Sequence, residues 1–222
     1  MVKTSPLDVF IFPFIIVIAL ISFFLIASIV PFTTTWFRDY HSVIDVLLFL
    51  LGFGILSALS IRIVLAFWPL RPGKYSWEEA HASYWKLFAL TYMFGRGALL
   101  PFTPDLIKPL VAKLFGAKIG KGAAMGGIIN EPPLVSIGDY AILGQYSVIT
   151  PHAITSGKIN LGRITIGDRV TIGVGSVIMP GVEIGDGAMV MPNTFVPMNT
   201  KIPAGEIWGG NPITKIRASA TQ

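Results

Sequence analysis

Three histidines and no cysteine set the catalytic possibilities of this chain. Without a thiol there is no disulfide framework, no zinc-cysteine site and no cysteine nucleophile. An imidazole, in contrast, can take a proton from a hydroxyl or amine near neutral pH. His152 is the strongest candidate, because it stands in the one stretch where a long internal repeat loses its register. His41 falls between two apolar stretches, and His81 falls on the polar side of an aromatic-rich segment, where we expect it to be solvated. Glu131, in Asn130-Glu131-Pro132-Pro133, is a second oddity. Strict repeat phase would aim its carboxylate into an apolar interior, which is costly. The two prolines should force a bulge that turns it out, where it either orients His152, binds an acceptor amine, or is only a loop residue.

The element that must position these groups repeats every six residues. Apolar side chains fall at Ile166, Ile172, Ile178, Ile184, Val190, Val196, Ile202 and Trp208 without a slip. The same phase holds upstream at Ile119, Met125, Ile137, Leu143 and Ile149, and breaks between Ile149 and Ile166. A helix has a period of 3.6 and a half-buried strand a period of two, so neither accounts for this run. A hexapeptide β-helix does, with three short strands per triangular coil and the apolar residue pointing inward.

Upstream the chain is of another kind. The whole is 53% hydrophobic and only 13% charged, against roughly 25% charged in a soluble domain. Residues 10–32 carry no charge and residues 46–61, extended to 68, carry only Arg62. Each is long enough to cross a hydrocarbon core of roughly 30 Å. Gly52, Gly54, Ser57 and Ala58 suit close helix packing. Residues 33–42 read as a loop between the two. Arg62, Arg71, Lys74 and Lys86 follow the second stretch, so the positive-inside rule places both termini, and the repeat domain, in the cytoplasm. This makes the protein integral to an inner or cytoplasmic membrane, with membrane lipid as a partner. The net charge of +5 comes with no nucleic-acid recognition motif, so no nucleic-acid partner is expected. Residues 70–75 read as a break. Ser76 and Glu79 form the pattern of a capping box opening a helix, in which Trp77, Tyr84, Trp85 and Tyr92 are aromatic types found at bilayer interfaces. This helix is expected on the membrane or against its hairpin. A second interfacial helix spans residues 103–115, with Leu106, Ile107, Leu110, Val111 and Leu114 on one stripe, Pro109 marking its start or a kink, and Gly116 its stop. The domains are then a two-helix transmembrane hairpin (1–75), amphipathic interfacial helices (76–118), the β-helix (119–207) and a tail (208–222).

The residues from Ile149-Thr150-Pro151-His152 through Ile166-Gly167-Asp168 to Thr171-Ile172-Gly173 resemble the hexapeptide-repeat acyltransferases. So do Pro180-Gly181-Val182-Glu183-Ile184-Gly185-Asp186 and the closing Trp208-Gly209-Gly210-Asn211-Pro212 with Lys215-Ile216-Arg217. Leu114-Phe115-Gly116-Ala117-Lys118-Ile119-Gly120 and Leu134-Val135-Ser136-Ile137-Gly138-Asp139 are similar to a membrane-attached branch that includes transferase-like regions of polylysine-type peptide synthetases.

The resemblance implies a left-handed parallel β-helix, a homotrimer with active sites between neighbouring prisms, and an acyl donor that is acetyl-CoA or another acyl-CoA, less often acyl carrier protein. It places the catalytic histidine at His152. It puts coenzyme A along outer turns bearing Gly173, Gly175, Ser176 and Asn193, with Lys215 and Arg217 near its phosphates. Ile213 and Thr214 stand between Lys215 and the Asn-Pro pair, one place more than the family pattern. The glycines are also corner residues of the fold, and the basic tail could be solvated. The expected function is a membrane-anchored acetyl- or other acyltransferase acting on a small-molecule or lipid-linked hydroxyl or amine, without a metal. The alternative is a non-catalytic trimeric scaffold, in which His152 is dispensable. A γ-type carbonic anhydrase needs three histidines on a metal, and the repeat domain has one.

Overall fold

The computed structural model describes residues 5–217. Its N-terminal part is a helical run from Pro6 to Phe67, long and apolar enough to cross a membrane by length and composition. One 3-10 turn, Arg38–Tyr40, interrupts it between α1 (Ile11–Phe37) and α2 (His41–Phe67). The loop expected at 33–42 is therefore mostly helix. Pro31 lies inside α1 without ending it; beyond it Thr34 donates to Val30 O at 3.0 Å and Thr35 to Pro31 O at 2.8 Å. Arg38 takes φ 45° at this turn, and Thr33 donates to Asp45 Oδ1 across it at 2.7 Å. His41 Nδ1 lies 3.2 Å from the other oxygen of Asp45. Asp45 thus ties α1 to α2.

Next come β1 (Gly73–Ser76), α3 (Ala80–Leu99) and α4 (Lys108–Leu114). The expected break at 70–75 is in part a strand. The capping box at Ser76 is half made: Glu79 accepts from Ser76 N–H at 2.7 Å, while the Ser76 hydroxyl caps nothing. Helix α3 packs on α2 through small residues. A Cβ on Gly54 would fall 2.4 Å from Leu99 Cγ, and one on Gly95 would fall 2.6 Å from Ser57 Cβ. Pro109 marks the start of α4, and Gly116, at φ +109°, follows it.

The rest is the coil. Its first turn is β2 (Lys118–Ile119), β3 (Ala124–Met125) and β4 (Ile128–Ile129), and its second is β5 (Val135–Ile137), β6 (Ile142–Leu143) and β7 (Val148–Ile149). A hairpin of β8 (His152–Thr155) and β9 (Lys158–Leu161) then leaves the coil. The third turn is β10 (Ile164–Ile166), β11 (Thr171–Ile172) and β12 (Val177–Ile178), and the fourth is β13 (Glu183–Ile184), β14 (Met189–Val190) and β15 (Phe195–Val196). The fifth ends with β16 (Lys201–Ile202) and β17 (Ile207–Gly209), onto which β18 (Thr214–Arg217) folds back antiparallel. Strands of successive turns stack in parallel, in three sheets ordered β16-β13-β10-β5-β2, β17-β14-β11-β6-β3 and β15-β12-β7-β4. The hexad residues fill the prism in register, Ile149 over Ile178 over Val196 on one face, all fully buried. Each buried aliphatic side chain contributes about 1.5–3 kcal/mol. The Ile-Gly-Asp repeats are structural: Asp186 Oδ1 accepts from Asp168 N–H at 2.9 Å, and Asp168 Oδ1 accepts from Asp139 N–H at 2.8 Å. A Cβ on Gly167 would lie 2.2 Å from Asp186 Oδ1, so the ladder needs glycine beside it.

The two parts are joined by secondary structure as well as by packing. Strand β1 pairs with β9, from Gly73 opposite Leu161 to Ser76 opposite Lys158, giving a three-stranded antiparallel sheet β1-β9-β8. This strand straddles the expected boundary at residue 75. Leu70, Trp85, Phe88, Tyr92 and Phe115 share one buried cluster with Leu134, before β5, and with Ile159 and Leu161 of β9.

Candidate active site

The excursion at His152 and the bulge at Glu131 fall at the same corner of the prism, where the sheet of β4 and β7 gives way to the sheet of β5 and β10. Ile129 pairs with Ile149, so residues 130–134 and 150–163 leave the coil one above the other. The bulge exists because the first coil closes early. Ile129 takes the inward place that strict phase assigns to Glu131, and Glu131 then adopts φ 40° before the turn Pro132–Leu134. A left-handed backbone is strained for a residue with a Cβ, and such strain concentrates at functional sites.

Glu131 is turned out of the prism yet only 2% exposed, because α3 covers it. Trp85 Nε1–H donates to Glu131 Oε1 at 3.0 Å. His152 Nδ1 lies 2.9 Å from both carboxylate oxygens. The indole of Trp85 also packs against the imidazole, with ring centroids 5.1 Å apart. Below them the Tyr92 hydroxyl donates to Ile129 O at 2.7 Å, fixing the backbone that leads into the bulge. Burial pushes the Tyr92 phenol well above its ordinary range, so it remains a donor. Thr150 Oγ1 sits 3.3 Å from His152 Nδ1 and donates to His152 O at 3.1 Å. A carboxylate accepts only, so its hydrogen bond with Nδ1 puts the proton on Nδ1 and leaves Nε2 with its lone pair. His152 keeps 26% of its side chain exposed while Glu131 keeps 3%. The imidazole is thus held at Nδ1 and partly exposed.

Of the residues expected to contact coenzyme A, Gly173, Gly175, Ser176 and Asn193 come together at another corner, between the sheet of β11 and β14 and the sheet of β12 and β15. Two of them are stacked turn residues. Gly175 has φ +70°, and a Cβ there would meet Asn193 Oδ1 at 2.4 Å, while Asn193 itself has φ 55°. Ser176 departs from its expected role: it is fully buried, its hydroxyl donates to Met191 O at 2.9 Å and accepts from Thr194 N–H at 3.3 Å. Lys215 is bonded to Glu206, which also accepts from Trp208 Nε1–H at 2.8 Å. The Lys215 bond, with that of Trp208, holds the Glu206 carboxyl below its usual value. The cation of Lys215 is therefore already paired. Arg217 ends β18, and its side chain lies outside the described part of the structure.

Two sequence expectations change. Trp85 and Tyr92 are not bilayer-interface residues: they are 7% and 6% exposed and face the coil. His81 is not solvated. It accepts from Arg71 N–H at 3.4 Å and packs on Tyr75 with centroids 4.1 Å apart. Desolvation, reinforced by the charge of Arg71, lowers its pKa. Trp85 was missed as a site residue because nothing local to α3 distinguishes an aromatic that meets lipid from one that meets a neighbouring domain.

Residues 163–197 match the family model described as bacterial transferase hexapeptide (six repeats). This stretch of the coil is similar to the hexapeptide-repeat transferases. The Bacillus subtilis protein YvoF, provisionally named an acetyltransferase, is 39% identical over 100 residues, which are 43% of this chain and 57% of that protein. A delta-poly-L-ornithine synthetase of Acinetobacter baumannii is 31% identical over 111 residues, 50% of this chain and 8% of that protein. The mitochondrial gamma carbonic anhydrase 1 of Arabidopsis thaliana is 30% identical over 118 residues, 46% of this chain and 42% of that protein. The chain thus spans 57% or less of each of these relatives.

Proposed function

We propose that the protein is a membrane-anchored acyltransferase that moves an acyl group, in the first instance acetyl, from coenzyme A to a hydroxyl or amine of a membrane-proximal acceptor. The observation that carries this reading is the Glu131–His152 pair, in which Nδ1 meets a buried carboxylate while 26% of the His152 side chain stays exposed. His152 Nε2 takes the proton of the acceptor O–H or N–H as the acceptor atom attacks the thioester carbonyl. The tetrahedral intermediate expels the coenzyme A thiolate by breaking the C–S bond, and the imidazolium returns the proton to sulfur. Glu131 faces the imidazolium that forms between these steps and favours it electrostatically.

The donor fits the turns of Gly173, Gly175 and Asn193, one sheet away from His152 within a single prism. A left-handed prism assembled as a trimer would bring the donor turns of one chain beside His152 of the next. The likeness to gamma carbonic anhydrase 1 brings no zinc reading with it, because a three-histidine zinc site finds one histidine, His152, in this repeat domain. Membrane anchoring is supported by α1, where Phe12, Phe23, Phe24, Leu25 and Phe32 are all more than half exposed. The positive-inside rule then puts the coil in the cytoplasm.

The test is thiol release by the purified protein in detergent, with acetyl-CoA or longer acyl-CoAs and a panel of membrane-extract acceptors. Release that needs both the acceptor and His152 supports the reading. Release that survives His152→Ala refutes the mechanism. No release and no thermal stabilisation by any coenzyme A ester leaves an acyl-carrier-protein donor or the trimeric scaffold.

A further inference from the structure

A second polar site lies away from the histidine, where the end of α3 and the start of α4 meet the first coil. It is a cavity of about 260 Å³ lined by Tyr92, Arg96, Leu100, Thr103, Lys108, Val111, Ala112, Met125 and residues 127–129. Two cations line it and no carboxylate does. Arg96 is half-buried, and its Nε is buried without a hydrogen-bond partner. Its guanidinium stands 5.8 Å from the Tyr92 ring, and among the described residues no acid pairs with it. Lys108 Nζ bonds Asp105, outside the cavity wall, at 2.7 Å and Gly126 O at 3.2 Å. Leaving a guanidinium N–H buried and unmatched is costly, and a planar fork of donors suits the oxygens of a phosphate. Leu100 of the lining is 56% exposed, and close to Lys108 in sequence Leu106, before α4, is 89% and Leu110, within α4, is 61% exposed.

A charged pocket with an exposed leucine in its lining and two more close by in sequence fits an amphiphile. We propose that the Arg96 and Lys108 cavity binds the phosphate of an anionic membrane lipid, whose chains lie along Leu100, Leu106 and Leu110. The lipid phosphate would accept from the guanidinium of Arg96, and would set the coil at a fixed height and orientation against the bilayer. The inference rests on the membrane reading of the preceding section and is independent of acyl transfer.

The experiment is thermal denaturation of the full chain in detergent with four probes: dihexanoyl phosphatidic acid, dihexanoyl phosphatidylcholine, inorganic phosphate and coenzyme A. Phosphatidic acid is expected to raise the midpoint and phosphatidylcholine to leave it unchanged. Arg96→Gln removes a charge-assisted hydrogen bond, so on the order of tenfold more phosphatidic acid is needed for the same shift. Equal shifts by both lipids, or an undiminished shift in Arg96→Gln, overturn the proposal. A shift by inorganic phosphate as large as that by phosphatidic acid overturns the lipid assignment in favour of a soluble phosphate. A coenzyme A shift abolished by Arg96→Gln overturns it in favour of the donor. Should Arg96→Gln not fold, Lys108→Gln is judged by the same criteria. His152-dependent thiol release without any phosphatidic acid shift removes this inference and leaves the acyltransferase standing.

Discussion

Glu131→Gln is the most informative single substitution. It keeps the volume and removes the charge, and the structure says what happens to each bond. Trp85 Nε1–H donates to the carboxylate at 3.0 Å and His152 Nδ1 lies 2.9 Å from both of its oxygens. A carboxylate accepts from both donors, whereas an amide has one oxygen. In either orientation of the amide its NH2 group lies against His152 Nδ1–H, and the side chain is too buried for water to relieve the clash. Hydrogen bonds to a charged partner contribute about 1.5–3 kcal/mol. At about 1.4 kcal/mol per factor of ten, loss of that support from the imidazolium lowers kcat roughly 10- to 100-fold. Glu131 stands apart from the turns of Gly173, Gly175 and Asn193, so KM for the acyl-CoA should change little. The assay is acceptor-dependent thiol release at saturating donor, with KM measured alongside. Glu131→Gln retaining more than half of the wild-type kcat would refute the dyad. A large rise in KM with kcat unchanged would refute the separation of base and donor sites.

Trp85→Phe keeps an aromatic ring against His152 but deletes the N–H to Glu131. We expect a several-fold loss of kcat and a destabilisation of about 1–3 kcal/mol, read from activity and from the thermal midpoint; unchanged values in both would remove α3 from the site. Ile178→Ala opens a hole in the filled prism, where Ile178 is fully buried. It should cost about 2–5 kcal/mol and lower the melting temperature whether or not substrate is present. The Arg71–His81 corner predicts an acid effect. The folded pKa of His81 is lowered by desolvation, so its contribution to stability is present above the unfolded value near 6.5 and is lost as pH falls through the folded one. The melting temperature should fall between pH 7.5 and 5.5, and His81→Gln should flatten that slope.

How much of this was legible depends on whether each feature is local. The hexad run was readable because every coil solves the same problem with the same six residues, and register can be counted without knowing what a coil packs against. The break at His152 was readable for the same reason, since an excursion shows as lost phase. The bulge at Glu131 could be inferred from Pro132 and Pro133, because strict phase would have buried a carboxylate among aliphatics. The helical run was readable from composition alone, but its turn was not. Residues 33–42 look polar enough for a loop, and only the Thr33–Asp45 bond across Arg38 shows that helix continues almost to the turn.

The partnership inside the site was decided by tertiary structure. Glu131 and His152 are 21 residues apart, and Trp85 and Glu131 are 46 apart, with a whole coil or a domain boundary between them. Gly73–Ser76 has no strand pattern of its own and becomes a strand because β9 offers an open edge. Trp85 and Tyr92 carry the same aromatic signature whether they face lipid or protein, and the choice follows from α3 packing on α2 through Gly54 and Gly95. By itself the amino-acid sequence determined the coil, its excursion and an apolar helical leader, because repeats and hydropathy are properties of neighbouring residues. Only the tertiary structure brought Trp85 of α3 to the imidazole, because a buried carboxylate needs donors from every side and the coil alone supplies them from one.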